Sequence, residues 1–192
     1  EAAATLGADV STPRRLPFTV AGGSLRGGPV SLDASPSSQF VSALLLTGDR
    51  YPDGVAITHI GESVPSLPHI EMTCTLLRRR GVTVVRTGPS AWQVVPGPVE
   101  PLDEVVEPDL TNAASMLAAA LATRGELSTA WPVVSVQAGD ELIDVLTAFG
   151  ARVSYSFGAD GMRTVTVRAP DGVHGADVDL HAVSELTPVA AA

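Results

Sequence analysis

The chain has 192 residues, 45% of them hydrophobic, and a net charge of −9 from 21 acidic against 12 basic side chains, every basic one an arginine. That supports a core for one large domain or two small ones. It argues against nucleic acid, which wants a basic face, and no apolar run reaches the roughly 18 residues of a membrane span.

In chain order, residues 1–22 read as the tail of a repeated unit. Leu6-Gly7-Ala8-Asp9-Val10 is a helix end, a glycine C-cap and a strand start, and Pro17–Ala21 is a further strand. The opening Glu1-Ala2-Ala3-Ala4 and the closing Ala190-Ala191-Ala192 break off abruptly, so the expectation is an internal piece of a longer protein. In Pro29–Asp33, Val30 and Leu32 alternate with Ser31 and Asp33, the period of a half-buried strand. Ser35 as N-cap and Pro36 at the first helical position then open a helix, Ser37–Thr47. Its run Phe40, Val41, Ala43, Leu44, Leu45, Leu46 has the density of a buried helix. Ser37, Ser38 and Gln39 therefore fall in the first turn, among free N–H groups at the positive dipole end. Two readings stay open for them: plain capping, or the holding of a phosphate or carboxylate.

Next come a strand, Val55–Ile60, the loop Gly61–His69, and a helix, Pro68–Arg80. Ser66 and Pro68 repeat the cap-and-first-turn pair, and His69 projects from that turn; a capped loop is the plain reading. Cys74, the single cysteine, lies inside this helix as a packed thiol, which excludes an internal disulfide and fits a reducing cytoplasm. Arg78-Arg79-Arg80 reads as its solvated C-terminus before Gly81. Strands Val82–Arg86 and Ala91–Val95 follow. Pro96-Gly97-Pro98-Val99-Glu100-Pro101 is the best linker candidate, dividing the chain into 1–101 and 102–192.

The second half reads strand Asp103–Glu107, helix Thr111–Thr123, strand Glu126–Thr129, helix Gly139–Phe149, and strands Arg152–Phe157 and Arg163–Arg168. A third unit begins with strand Ala176–Leu180 and a helix from about Glu185. Asp177, Asp179 and His181 would share one strand face, but Val178 and Leu180 make the other face the buried one; a solvated polar face is expected, and no metal. Glu185 reads either as a capping acid or as a general base. Ser37, Thr111 and Glu185 are spaced 74 and 74 residues apart; Gly7, Gly81 and Gly150 are spaced 74 and 69. The result is an α/β chain of repeated βαβαββ units, parallel crossovers with one hairpin per unit. No Gly-x-Gly-x-x-Gly, Walker loop or nucleophile elbow occurs, and no cofactor is expected.

Four stretches together resemble the EPSP synthase (3-phosphoshikimate 1-carboxyvinyltransferase) family: Asp33-Ala34-Ser35-Pro36-Ser37-Ser38-Gln39-Phe40, Ser66-Leu67-Pro68-His69-Ile70, Glu107-Pro108-Asp109-Leu110-Thr111-Asn112-Ala113, and Asp179-Leu180-His181-Ala182-Val183-Ser184-Glu185-Leu186-Thr187-Pro188. The resemblance implies an enolpyruvyl transferase fold of six βαβαββ units, three per domain, with this chain holding parts of both. It implies transfer of the enolpyruvyl group of phosphoenolpyruvate to the 5-hydroxyl of shikimate 3-phosphate, on the way to chorismate, with neither metal nor covalent enzyme intermediate. By resemblance Ser37 and Ser38 are ligands of the shikimate 3-phosphate phosphate group, Gln39 touches both substrates, and Ser66 is another ligand. His69 stands where many relatives have Tyr. Glu185 stands where many have Asp, as the base on the hydroxyl. The family's Lys and Arg clamp on phosphoenolpyruvate has no counterpart here, so this chain alone is expected to be inactive, and the full-length enzyme a cytoplasmic monomer. Two other readings are the sibling transferase acting on UDP-N-acetylglucosamine and a non-catalytic binding or scaffold module. The sibling's Cys acid sits in a loop, unlike Cys74. Retention of Ser37, Ser38, Gln39 and Glu185 together speaks against a mere scaffold.

Overall fold

Three glycines set the punctuation of this chain. Gly7, Gly81 and Gly150 have φ of 108°, 77° and 95°, a region that costs a side chain energy and a glycine almost nothing. Each follows a helix end and closes it in the same way. The N–H of Gly7, Gly81 and Gly150 bonds to the carbonyl of Ala4, Arg78 and Thr147, at 3.1, 3.1 and 2.9 Å. The next N–H, of Ala8, Val82 and Ala151, reaches Ala3, Leu77 and Leu146, at 2.9, 3.1 and 3.1 Å. These are three Schellman caps.

The computed structural model describes residues 1–11, 15–21, 23, 25–159 and 161–192; of the leading tail 1–22, positions 12–14 and 22 lie outside the described residues. The chain divides into two units, Glu1–Asp103 and Glu104–Ala192.

The first unit opens with α1 (Ala2–Thr5) and a two-stranded antiparallel ribbon, β1 (Asp9–Val10) and β2 (Val20–Ala21). Then follow β3 (Gly28–Leu32), α2 (Gln39–Leu45), β4 (Val55–His59), α3 (Leu67–Arg79), β5 (Val84–Gly88) and β6 (Ala91–Val94). The sheet order is β3-β4-β6-β5, with β3 parallel to β4 and the other pairs antiparallel. This is the βαβαββ pattern read from the sequence. Along β4, Val55, Ile57 and His59 are buried while Ala56 and Thr58 are not, so the sheet buries one face. Val41 and Leu45 of α2 and Ile70, Cys74 and Leu77 of α3 pack there with Val30, Trp92 and Val94. Burial of a side chain such as Ile70 stabilises by about 1.5–3 kcal/mol. α2 is not buried all round as expected: Phe40 and Leu46 are 48% and 57% exposed, leaving an ordinary amphipathic helix.

The second unit holds α4 (Leu110–Ala122), β7 (Glu126–Pro132), α5 (Gly139–Ala148), β8 (Arg152–Phe157) and β9 (Met162–Arg168), then a 3-10 turn (His181–Leu186) and α6 (Thr187–Ala191). Its antiparallel sheet runs β7-β9-β8. Leu110, Leu117, Trp131, Leu142, Leu146, Val165, Val167, Val183 and Leu186 form its core.

Three expected elements of this half differ. Residues 103–107 are not a strand: Val105 and Val106 are 94% and 90% exposed, adjacent valines between Pro101 and Pro108 with no ladder to join among the described residues. The Glu107 carboxylate instead accepts from the Ser135 hydroxyl. Residues 176–180 are likewise irregular. The period-two pattern survives there in burial only, with 176, 178 and 180 half-buried and 177 and 179 exposed, because among the described residues no neighbouring strand supplies hydrogen bonds. The last α-helix begins at Thr187, leaving Glu185 in the 3-10 turn ahead of it. The second unit therefore shows αβαββ, without the parallel pair of the first.

Candidate functional site

Because β3 and β4 are parallel neighbours, the chain leaves both at the same edge of the sheet. After β3 it turns through Asp33–Ser38 into α2; after β4 it turns through residues 60–66 into α3. The crevice outside the carboxyl ends of parallel strands is where open α/β sheets bind ligands. Ser37, Ser38 and Gln39 stand at the end of the first turn, Ser66 and His69 at the end of the second. The topology thus brings five of the six expected residues to one edge of the first unit. The sixth, Glu185, belongs to the second unit.

The local geometry corrects the sequence reading at Ser35. α2 starts at Gln39 with Ser38 in the N-cap position, so Ser37 and Ser38 precede the helix rather than form its first turn. Ser35 is no cap. Its N–H donates to Asp33 Oδ1 at 2.8 Å, and its Oγ accepts from the Glu62 N–H at 3.2 Å. Ser and Asp side chains offer the backbone a turn in competition with helix, and here the turn wins. The Ser37 N–H bonds to the Ala34 carbonyl at 3.0 Å, and the Ser37 Oγ accepts from the Gln39 N–H at 3.2 Å. A hydroxyl that accepts still has its own proton to donate. Ser38 is buried, Ser37 half-buried and Gln39 exposed.

Ser66 is buried, at the N-cap position of α3, with φ 50° and ψ 45°, and its side chain does not cap the helix. A non-glycine residue in the left-handed region is uncommon, and such strain concentrates at ligand-binding segments. His69, half-buried, sits in the first turn of α3 and bonds through its N–H to the Ser66 carbonyl at 3.0 Å.

The electrostatics of this edge are those of donors rather than cations. No arginine falls in 33–39 or 60–69. Elsewhere Arg26 pairs with Asp53, Arg86 with Glu71, Arg152 with Asp171, Arg163 with Asp140 and Arg168 with Glu126. The Ser35 hydroxyl and N–H on the Asp33 carboxylate hold that group below the usual carboxylate range. Among the described residues no group of three or more His, Cys, Asp or Glu is placed to hold a metal, and no helix is long and apolar enough to cross a membrane.

Sequence reasoning passed over His59. It ends β4 on the buried face, 7% exposed, and its Nδ1 accepts the Ala34 N–H at 3.0 Å, tying the two turns together. The signal was there: in Val55, Ile57, His59 the inward side of the strand ends in an imidazole.

In the second unit, Glu185 is half-buried between Val183 and Leu186, which are 2% and 1% exposed and anchor the turn on both sides. Cys74 is fully buried in α3, and burial, with Glu71 beside it, pushes its thiol pKa up. The thiolate is the nucleophile, so Cys74 is expected to react with a disulfide reagent on the order of 10²-fold more slowly in the native protein than in urea. A native rate approaching the unfolded one would show an accessible, chemically usable thiol instead.

Residues 2–192 match the family model described as EPSP synthase (3-phosphoshikimate 1-carboxyvinyltransferase). A 3-phosphoshikimate 1-carboxyvinyltransferase of Mycobacterium ulcerans (strain Agy99) is 45% identical over 179 residues, 92% of this chain and 40% of that protein. The chain thus spans about two fifths of the length of this relative. Among solved structures, the enolpyruvyl transferase NikO from Streptomyces tendae is similar with a TM-score of 0.59 at 20% identity, over 88% of this chain and 41% of the other, which is a likeness of fold. A pattern that runs from residue 2 to residue 192, over both units and every stretch named above, places this chain in the EPSP synthase family.

Proposed function

We propose that this chain is one part of a full-length enzyme that transfers the enolpyruvyl group of phosphoenolpyruvate to the 5-hydroxyl of shikimate 3-phosphate. Residues 1–101 belong to one domain of that cytoplasmic enzyme and 102–192 to the other. The observation that carries the reading is the Ser37-Ser38-Gln39 run at the carboxyl end of β3, beside Ser66 and His69 beyond the parallel β4, in a chain of this family.

The residues divide the chemistry as follows. Ser37 and Ser38 hold the phosphate of shikimate 3-phosphate by charge-assisted hydrogen bonds, each worth about 1.5–3 kcal/mol. Ser66 and His69 hold the ring side of the same substrate, and Gln39 touches both substrates. Glu185 removes the proton of the 5-hydroxyl as its oxygen bonds to C2 of phosphoenolpyruvate and C3 takes up a proton. The tetrahedral adduct then gives up a C3 proton and expels phosphate, restoring the double bond. Two anions need cationic partners, and residues 33–39 and 60–69 contain none, so the clamp on phosphoenolpyruvate is assigned to residues outside this chain.

Phosphate release tests this. The full-length enzyme is expected to release phosphate only with shikimate 3-phosphate and phosphoenolpyruvate together, and the 192-residue chain with neither. Turnover of UDP-N-acetylglucosamine would move the assignment to the sibling transferase. Turnover by the 192-residue chain alone would sink the claim that the clamp lies elsewhere.

A further inference from the structure

We propose that His59 is a positioning residue, whose Nδ1 acceptor rather than whose bulk holds the two turns that carry the substrate ligands. This rests on the substrate reading above. The bond from the Ala34 N–H to His59 Nδ1 is 3.0 Å long and buried, and the Gly61 N–H lies 3.5 Å from the same atom. The carbonyl of Ala34 in turn receives the Ser37 N–H at 3.0 Å. Ala34 is therefore tied on its amide side to His59 and on its carbonyl side to Ser37, and the imidazole sets where the serine run begins. Gly61 packs against the ring from the other turn: a Cβ there would lie 2.6 Å from His59 Cε1 and 2.1 Å from Asp33 Oδ1. The Ser35–Glu62 bond is a second stitch between the same turns.

An imidazole nitrogen that accepts a hydrogen bond carries no proton, so His59 is the neutral tautomer with its proton on Nε2. That Nε2 is buried and has no partner among the described residues. A leucine of similar size would avoid the unsatisfied donor, so packing alone does not account for a histidine here. The second unit uses the same device with a different side chain. Gln137, beyond β7, accepts the Leu110 N–H at 2.9 Å and donates to the Pro108 carbonyl at 2.8 Å, ahead of α4. In both units a side chain at or beyond the strand that follows the helix, β4 after α2 and β7 after α4, grips the backbone leading into that helix.

The test uses His59→Leu and His59→Asn in the full-length enzyme; the Asn Oδ1 falls near the place of Nδ1 and can accept. Losing the acceptor is expected to raise KM for shikimate 3-phosphate about tenfold, with kcat within about threefold, and Asn to restore KM to within about threefold of wild type. Amide exchange at Ala34 should accelerate in the Leu protein and not in the Asn protein. A Leu protein with KM within about twofold of wild type, or an Asn protein no better than Leu, overturns the inference. Exchange at Ala34 needs no substrate. If the wild type does not use shikimate 3-phosphate, the functional reading fails, and unchanged exchange in the Leu protein still overturns this one. Should the Leu protein not fold, Asn against Gln decides, since the Gln amide falls at the Nε2 position; equal KM for the two refutes the role of Nδ1.

Discussion

Replacing Glu185 by Gln in the full-length enzyme is expected to lower kcat by about 10²–10⁴-fold while leaving shikimate 3-phosphate binding near normal. The substitution keeps the size of the side chain and its hydrogen-bonding reach but removes the base. Glu185 sits in a 3-10 turn that the buried Val183 and Leu186 anchor. Uniform binding losses raise KM, whereas a group that acts only as the proton leaves lowers kcat. Steady-state kinetics with direct binding separates the two. Turnover within a few-fold of wild type would leave the carboxylate a helix-flanking charge and remove it from the mechanism.

The largest expected loss of stability is at Trp92. It lies on β6 between β4 and β5, paired across the ladder with Ile57, and is 1% exposed. Trp92→Ala leaves a cavity beneath α2 and α3, in the same cluster as Val30, Ile57 and Ile70. Truncations of this kind cost about 3–5 kcal/mol. The urea midpoint, followed by circular dichroism, should fall accordingly. A loss below about 1 kcal/mol would mean that the first unit is not organised around this side chain.

How much of this was legible depended on which forces decide locally. The glycine spacing was readable because a Schellman cap needs a positive φ at one residue, and only local chemistry chooses that residue. β3, β4, α3 and β6 were readable because their periodicity and their burial agree. Residues 103–107 and 176–180 were misread for the opposite reason. A strand is stabilised by its neighbour as much as by its own pattern, and Val105 and Val106 have none to lie against. Ser35 was misread because its hydroxyl had a nearer use, between Asp33 and Glu62, than the helix end. The Ser37–Gln39 run was recognisable as a motif, whereas the contact that fixes it, His59 to Ala34, spans 25 positions and follows only once β3 and β4 are known to be parallel.

The central claim is that the Ser37-Ser38-Gln39 run holds the phosphate of shikimate 3-phosphate. Calorimetric titration of that ligand into the full-length enzyme and into its Ser37→Ala/Ser38→Ala double variant tests it most directly. Loss of one to two charge-assisted bonds predicts binding weaker by at least about tenfold in the double variant, with thermal stability little changed. Equal affinity of the two proteins within about twofold would contradict the account and place the phosphate elsewhere.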